Sequence, residues 1–267
     1  AFSATGNYSA NDVETYVSRG SDDTKKAVDI TGSLSLGAND SSTVSSTAGS
    51  AAVAANTDGN GLGASAAVSI ANDDVYAYIA DKAAVAAERS KQTASAAKTA
   101  VAAKNVALTA AEGAQTVTLA AGGAGGGSAG MAGSLASNVL TQNTMAFVGK
   151  NAAVTASDAS VEISANNTAA ATGLAGALAI GKSAGVGVGA EVDVISGNTY
   201  AYIDSDAAVT AADNVLVKAD SRENVISFAG SAAGGGKVGV AGAVNVHVMN
   251  TDTEAFVGWS GDTLETA

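Results

Sequence analysis

The sequence predicts an all-β fold, a parallel β-solenoid (β-helix) of repeats about 54 residues long, and three observations carry that expectation. The first is alternation. In Ala184-Gly-Val-Gly-Val-Gly-Ala-Glu-Val-Asp-Val194, residues Ala184, Val186, Val188, Ala190, Val192 and Val194 share one side, and Gly185, Gly187, Gly189, Glu191 and Asp193 share the other. A two-residue period of this length belongs to a strand with one buried face, and the Val side is the expected one. The second is recurrence. Asn143-Thr-Met-Ala-Phe-Val148 and Asp252-Thr-Glu-Ala-Phe-Val257 repeat Asn198-Thr-Tyr-Ala-Tyr-Ile203; Asp74-Val-Tyr-Ala-Tyr-Ile79 is a looser copy and Glu14-Thr-Tyr-Val17 a worn fifth. A unit of this kind cannot cover its own apolar face and is stabilised by stacking on its neighbours. The third is composition. No Pro, no Cys, 32 Gly and 4% aromatic residues suit tightly stacked strands better than a helical bundle.

Taken in order, residues 1–79 form an irregular first repeat. Asp22-Asp-Thr-Lys-Lys26 reads as a solvated charge cluster at a turn. Alternation begins at Val28-Asp-Ile-Thr-Gly-Ser-Leu-Ser-Leu36, while Gly37-Ala-Asn-Asp40 and Asp58-Gly-Asn-Gly61 carry turn chemistry. Residues 80–148 form a repeat with an insertion at about 83–104. Ala83 to Lys104 is Ala-rich, free of Gly, and holds the helix formers Glu88, Arg89, Lys91, Gln92 and Lys98. Anchor spacing agrees, since 147 − 78 = 69 residues separate Tyr78 from Phe147, against 202 − 147 = 55 and 256 − 202 = 54 for the later pairs. Lys82, Arg89, Lys91, Lys98 and Lys104 make the stretch locally basic on an acidic chain. It reads as a surface helix laid weakly on the array, with an Ala-rich strand as the alternative. Arg89, Lys91 and Lys98 are its candidate contacts to a neighbouring molecule.

Residues 149–203 and 204–257 form regular repeats. Gly176 matches Gly230, Gly181 matches Gly235 and Val161-Glu-Ile163 matches Val215-Leu-Val217, each at 54, whereas Ala153-Val-Thr-Ala156 matches Ala208-Val-Thr-Ala211 at 55. One residue is gained or lost in the intervening turn. Tyr78, Phe147, Tyr202 and Phe256 recur in register and are expected to stack along the axis as structural anchors. The Asn-Thr and Asp-Thr pairs before them read as turns. Stacked antiparallel β-hairpins, with Gly234-Gly-Gly236 as a loop, are the alternative fold. The 267 residues read as one continuous array, an excerpt of a longer chain.

A formal charge of −12 and a pI near 4.3 exclude the basic footprint that nucleic acid requires, and disfavour an anionic membrane surface. No uninterrupted apolar run reaches about 18 residues, so this segment is not expected to insert in a membrane. Without Cys there are no disulfides and no thiolate-bound metals.

Motifs that resemble chemistry are discounted by their setting. Gly176-Ala-Leu-Ala-Ile-Gly-Lys-Ser183 satisfies the phosphate-loop spacing, but an alternating strand follows it where a helix N-terminus is needed. Gly125-Gly-Gly-Ser-Ala-Gly130 fits a dinucleotide fingerprint without the βαβ frame. His247, the only histidine, falls opposite Asp193 at the repeat offset and reads as a surface residue outside any Ser-His-Asp or metal set. Asp22-Asp23 and Asp73-Asp74 are the acidic pairs that could touch calcium, but neither belongs to a calcium-loop pattern. No catalytic residue, cofactor or metal is expected.

The run from Ala146-Phe-Val-Gly-Lys150 through Ala153-Val-Thr-Ala156 and Val161-Glu-Ile163 to Ala175-Gly-Ala-Leu-Ala-Ile-Gly-Lys-Ser183 and Asn198–Ile203 resembles the arrays of leukotoxin-type filamentous adhesins of anaerobic Gram-negative bacteria. These are akin to filamentous-haemagglutinin-like surface proteins. The resemblance spans roughly residues 60–260. It implies a long, secreted, β-helical shaft attached at the bacterial outer membrane, exported by a two-partner or autotransporter route. Roles in adhesion, aggregation or biofilm would follow, with a host or bacterial surface receptor as partner. Lateral self-association into a surface filament, or service as the delivery arm of a toxin, are the alternatives. The resemblance transfers no catalytic residues, because the matching positions are scaffold.

Overall fold

A computed structural model of the chain describes residues 1–18, 28–81, 85 and 98–259. Their strands fall into three sheets in which every pairing is parallel. Sheet A stacks β1 (Phe2–Val17), β4 (Gly61–Ile79), β7 (Ala129–Val148), β10 (Ala184–Asp204) and β13 (Val238–Trp259). Sheet B stacks the short strands β2 (Val28–Asp29), β5 (Thr99–Ala103), β8 (Ala152–Ala156) and β11 (Ala208–Ala211). Sheet C stacks β3 (Ser33–Val53), β6 (Asn105–Gly126), β9 (Val161–Gly181) and β12 (Val215–Gly235). Each coil visits B, C and A in that order, which is a parallel β-solenoid. The register reproduces the repeat offset: Val161 pairs with Val215 and Ala184 with Val238 (215 − 161 = 238 − 184 = 54), while Ala153 pairs with Ala208 (208 − 153 = 55). The hairpin alternative does not hold. Gly236 and Lys237 turn the chain from β12 into β13, but those strands lie in different sheets and meet across the interior.

The cross-section is a wedge. At one end the three sheets enclose an aliphatic core that includes Val75, Ile79, Val101, Leu108, Val148, Val154, Ile163 and Ile203. Beyond sheet B, sheets A and C continue as a two-layer blade. The 20-residue β7 alone spans about 65 Å at ~3.3 Å per residue.

Inside the blade the buried face is the reverse of the expected one. Gly185, Gly187, Gly189, Glu191 and Asp193 point inward and are buried, while Val186, Val188, Ala190, Val192 and Val194 point outward. The cause is the closeness of the sheets. A Cβ at Gly189 would lie 2.6 Å from the Gly230 carbonyl oxygen, and one at Gly187 2.8 Å from that of Ala232. At Gly63 and Gly185 it would overlap the carbonyls of Gly123 and Gly234. Val44, Leu140 and Ile195 form an aliphatic layer nearer the closed end, and between these backbones Gly, Ala and polar side chains predominate. Ala48, Ala67, Ala120, Ala136 and Ala175 form one such layer, and Ala124, Ala132, Ala177 and Ala179 the next.

Several local expectations are corrected. Gly37–Asp40 lies within β3, and the irregular opening contains the full strand β1. Asn143-Thr144 and Asn198-Thr199 lie within β7 and β10, because in-register stacking offers asparagine a partner in the next coil and removes the need for a turn. The insertion expected at about 83–104 ends before its predicted limit. Thr99–Ala103 is β5, paired with β8, because the third side of each coil requires a strand there. Most of the predicted helical stretch, 83–84 and 86–97, lies outside the described residues, as does the charge cluster 22–26.

Candidate functional site

The four predicted anchors stand in one file with Tyr16. Ring centroids lie 5.3 Å apart for Tyr16–Tyr78, 5.1 Å for Tyr78–Phe147, 4.8 Å for Phe147–Tyr202 and 5.0 Å for Tyr202–Phe256, with planes within 13° of parallel. The file runs on the outer side of sheet A, since the intervening Ala77, Ile79, Ala146, Val148, Ala201 and Ile203 point to the aliphatic core. Its middle rings, Tyr78, Phe147 and Tyr202, are nevertheless buried, together with Tyr76, Met145, Tyr200 and Val85, while Phe256 is partly buried and Tyr16 exposed. The Val85 amide donates to the Asp81 carbonyl at 3.0 Å, one turn after β4 ends. Beside the rings runs a polar ladder in which Asn143 Nδ2 donates to Asp74 Oδ1 at 2.8 Å and Asn198 Nδ2 to Asn143 Oδ1 at 2.9 Å. Such ladders favour one register, because a slip of one residue breaks them all.

Of the candidate contacts in the insertion, Arg89 and Lys91 lie outside the described residues, and Lys98 is exposed immediately before β5. The phosphate-loop match ends β9 at Gly181, turns at Lys182 and Ser183, and enters β10 at Ala184, so strands flank it on both sides. Gly125–Gly130 spans the turn from β6 to β7. Asp73 points inward and accepts from Ser42 Oγ at 2.7 Å, whereas Asp74 points outward into the asparagine ladder, so this pair faces opposite ways. The other pair, Asp22-Asp23, lies outside the described residues.

Between the aliphatic core and the Ala layers lies a buried polar stratum. Thr144 Oγ1 donates to Glu112 Oε2 at 2.8 Å, and Asn167 Nδ2 approaches Gln142 Oε1 at 3.5 Å. Burial pushes the Glu112 carboxyl up to about 8, with bonds from Thr144 and Gln142 opposing and the charges of Asp73 and Asp40 adding to the shift. The Asp73 carboxyl is also held above its ordinary value, first by burial.

A second polar cluster gathers around His247, and here the sequence expectation fails. His247 is exposed, as expected, but it does not stand alone. Its Nδ1 lies 3.2 Å from Asp193 Oδ2 and its Nε2 3.1 Å from Ser227 Oγ, a Ser-His-Asp sequence of contacts assembled from β12, β13 and β10. Asn138 Nδ2 in β7 donates to Asp193 Oδ1 at 2.7 Å and so fixes that carboxylate. Glu191, two residues before Asp193 on the same inward face, is fully buried and reaches toward Gly173, where any Cβ would overlap its carboxylate. One ligand atom each from Glu191, Asp193 and His247 can be chosen so that all lie within 4.8 Å of one another. Neither Glu191 oxygen has a hydrogen bond, while Asp193 Oδ2 faces the His247 ring. Burial, and then neighbouring Asp193, raise the Glu191 carboxyl well above the ordinary range, with Ser227 opposing.

The pairing of Asp193 with His247 is visible in the 54-residue offset (247 − 193 = 54). Ser227 and Glu191 join them only because sheets A and C face each other at contact distance. Comparison of the chain with protein-family models, with curated proteins and with solved structures gives no match.

Proposed function

We propose that this chain is a structural shaft segment of an extracellular bacterial surface adhesin that mediates attachment, aggregation or biofilm. One observation carries the reading: the coils stack in one uninterrupted register, and the same columns of aromatic and asparagine side chains pass from coil to coil. This construction extends along an axis by adding repeats, and its repeated residues serve stacking. The resemblance to leukotoxin-type filamentous adhesins supports the surface location and a receptor on a host or bacterial cell. The acidic charge supports a partner that is neither nucleic acid nor an anionic membrane.

A second reading, lateral self-association into a surface filament, draws on the outer faces. Leu62, Met131, Leu135 and Val188 on sheet A, and Leu174, Leu178, Ile180 and Phe228 on sheet C, are large, apolar and exposed. Leu62 and Met131 share one column and Leu174 and Phe228 another, whereas Leu135, Val188, Leu178 and Ile180 have Gly or Ala beside them in the adjoining coils and stand out as separate apolar knobs.

Electron microscopy of the full-length native protein, on and off cells, tests both. Each repeat adds one strand to each sheet and therefore about 4.8 Å of length, so a single-chain shaft is a ribbon about 65 Å wide, at ~3.3 Å per residue across the blade. Ribbons projecting singly from cells are the expected result for the shaft. Ordered bundles of many chains favour the filament, and compact globules would overturn both.

A further inference from the structure

We propose that Glu191, Asp193 and His247 form a binding site for one divalent transition-metal cation of the zinc class, held between the sheets of the blade. Four observations converge. The ligand atoms are already gathered within 4.8 Å, and zinc–ligand bonds of 2.0–2.2 Å place tetrahedral neighbours roughly 3.3 Å apart, a spacing that His247 Nδ1 and Asp193 Oδ2 already keep at 3.2 Å, so a small side-chain adjustment completes the set. The carboxylates point into the site: both oxygens of Glu191, at 0% exposure, accept no hydrogen bond, and Oδ2 of Asp193, at 1%, faces His247 Nδ1 at 3.2 Å. Asp193 Oδ1 is meanwhile held by Asn138, the kind of outer-shell bond that orients a ligating carboxylate.

The set is also peculiar to one level of the stack. In the column of Glu191 the other coils carry Thr5, Ala67, Ala136 and Asn245; in that of Asp193 they carry Asn7, Ser69 and Asn138. On the facing sheet, Gly173 replaces the Ser46 and Thr118 of the earlier coils and makes room for the Glu191 carboxylate. Two carboxylates and one imidazole are a borderline donor set, suited to zinc and its neighbours better than to calcium, which takes oxygen alone. The ion would lie beside Ser227 Oγ, and it would join β10 to β13 directly.

The test is titration of the chelator-treated 267-residue chain with Zn²⁺ alone, followed by calorimetry and by metal analysis after desalting. One ion per chain at micromolar affinity or tighter is the expected result. His247→Gln and Asp193→Asn should each weaken binding by at least about tenfold, the lower range for even an outer-shell loss. Co²⁺ bound in place of Zn²⁺ should give a visible ligand-field band that His247→Gln abolishes. Circular dichroism of each variant reports whether the fold is retained. Absence of saturable binding at millimolar Zn²⁺ would overturn the proposal. Wild-type affinity in either folded variant would overturn it equally.

Discussion

The closed end of each coil and its blade are built from the same three or four residue types placed on opposite faces. At the closed end Val, Leu and Ile point inward, three sheets surround them, and the interior is as apolar as an ordinary core. In the blade most of these residues point outward, and beyond a layer of Val44, Leu140 and Ile195 the interior is Gly and Ala interrupted by carboxylates, amides and hydroxyls. The difference shows what each region relies on. The closed end is stabilised by side-chain burial, at about 1.5–3 kcal/mol for a fully buried aliphatic residue. The blade has little side-chain volume to bury. It depends on continuous parallel ladders, on close backbone approach, and on polar groups that fit only in one register.

The largest effect that would separate the two is truncation in the closed core. Leu108 is fully buried among Val106, Val154 and Ile163. Leu108→Ala should lower the unfolding free energy by about 2–5 kcal/mol, read by urea denaturation. A loss under about 1 kcal/mol would mean that the blade alone sets stability and that the comparison is wrong.

The next effect concerns the polar stratum and depends on pH. The folded state raises the Glu112 carboxyl from 4.5 to about 8, so folding favours its protonated form. The stabilising contribution is therefore complete below the unfolded value and is lost as pH rises from about 4.5 to about 8. Glu112→Gln keeps an acceptor for Thr144 and removes the charge. Relative to the wild type, this variant should gain stability on the order of a few kcal/mol between about pH 5 and pH 9, measured by parallel urea denaturations. Parallel curves at all pH values would show that Glu112 stays ionised at no cost.

The backbone approach is tested by a matched pair of glycines. A Cβ at Gly63 would overlap the Gly123 carbonyl, whereas one at Gly133 meets nothing within 4 Å. Gly63→Ala should destabilise by about 1–3 kcal/mol, as overpacking does, while Gly133→Ala stays within about 0.5 kcal/mol of the wild type. Equal effects in the two variants would mean that the sheets can separate freely.

How much of this was legible in the sequence follows from the same contrast. Register, the 54-residue offset and the aromatic file were readable, because parallel in-register stacking places like residues beside like, so the periodicity of the structure is that of the sequence. The buried face was not readable from hydropathy, which assigns Val186 and Val188 inward. The signal that opposes this is volume: Gly185, Gly187 and Gly189 alternate on one strand while Gly230 and Gly234 sit on the strand that faces it. His247 was legible as a neighbour of Asp193 and illegible as part of a cluster, since Glu191 and Ser227 reach it across the sheets.

The smallest effect is expected where the inversion is most visible, on the outer face of the blade. Leu178 and Val188 are 51% and 50% exposed, so a change there removes little area from contact within the chain. Val188→Thr, which retains β-branching, should alter the unfolding free energy by less than about 0.5 kcal/mol. Leu178→Ser should stay within about 1 kcal/mol, against the 2–5 kcal/mol of a core truncation. The same substitutions carry a second readout. If blades associate through these faces, a chain with both changes should require a higher concentration to assemble, measured by light scattering at fixed ionic strength. Assembly at the wild-type concentration, with stability unchanged, would assign the outward Val188 and Leu178 to strand propensity alone.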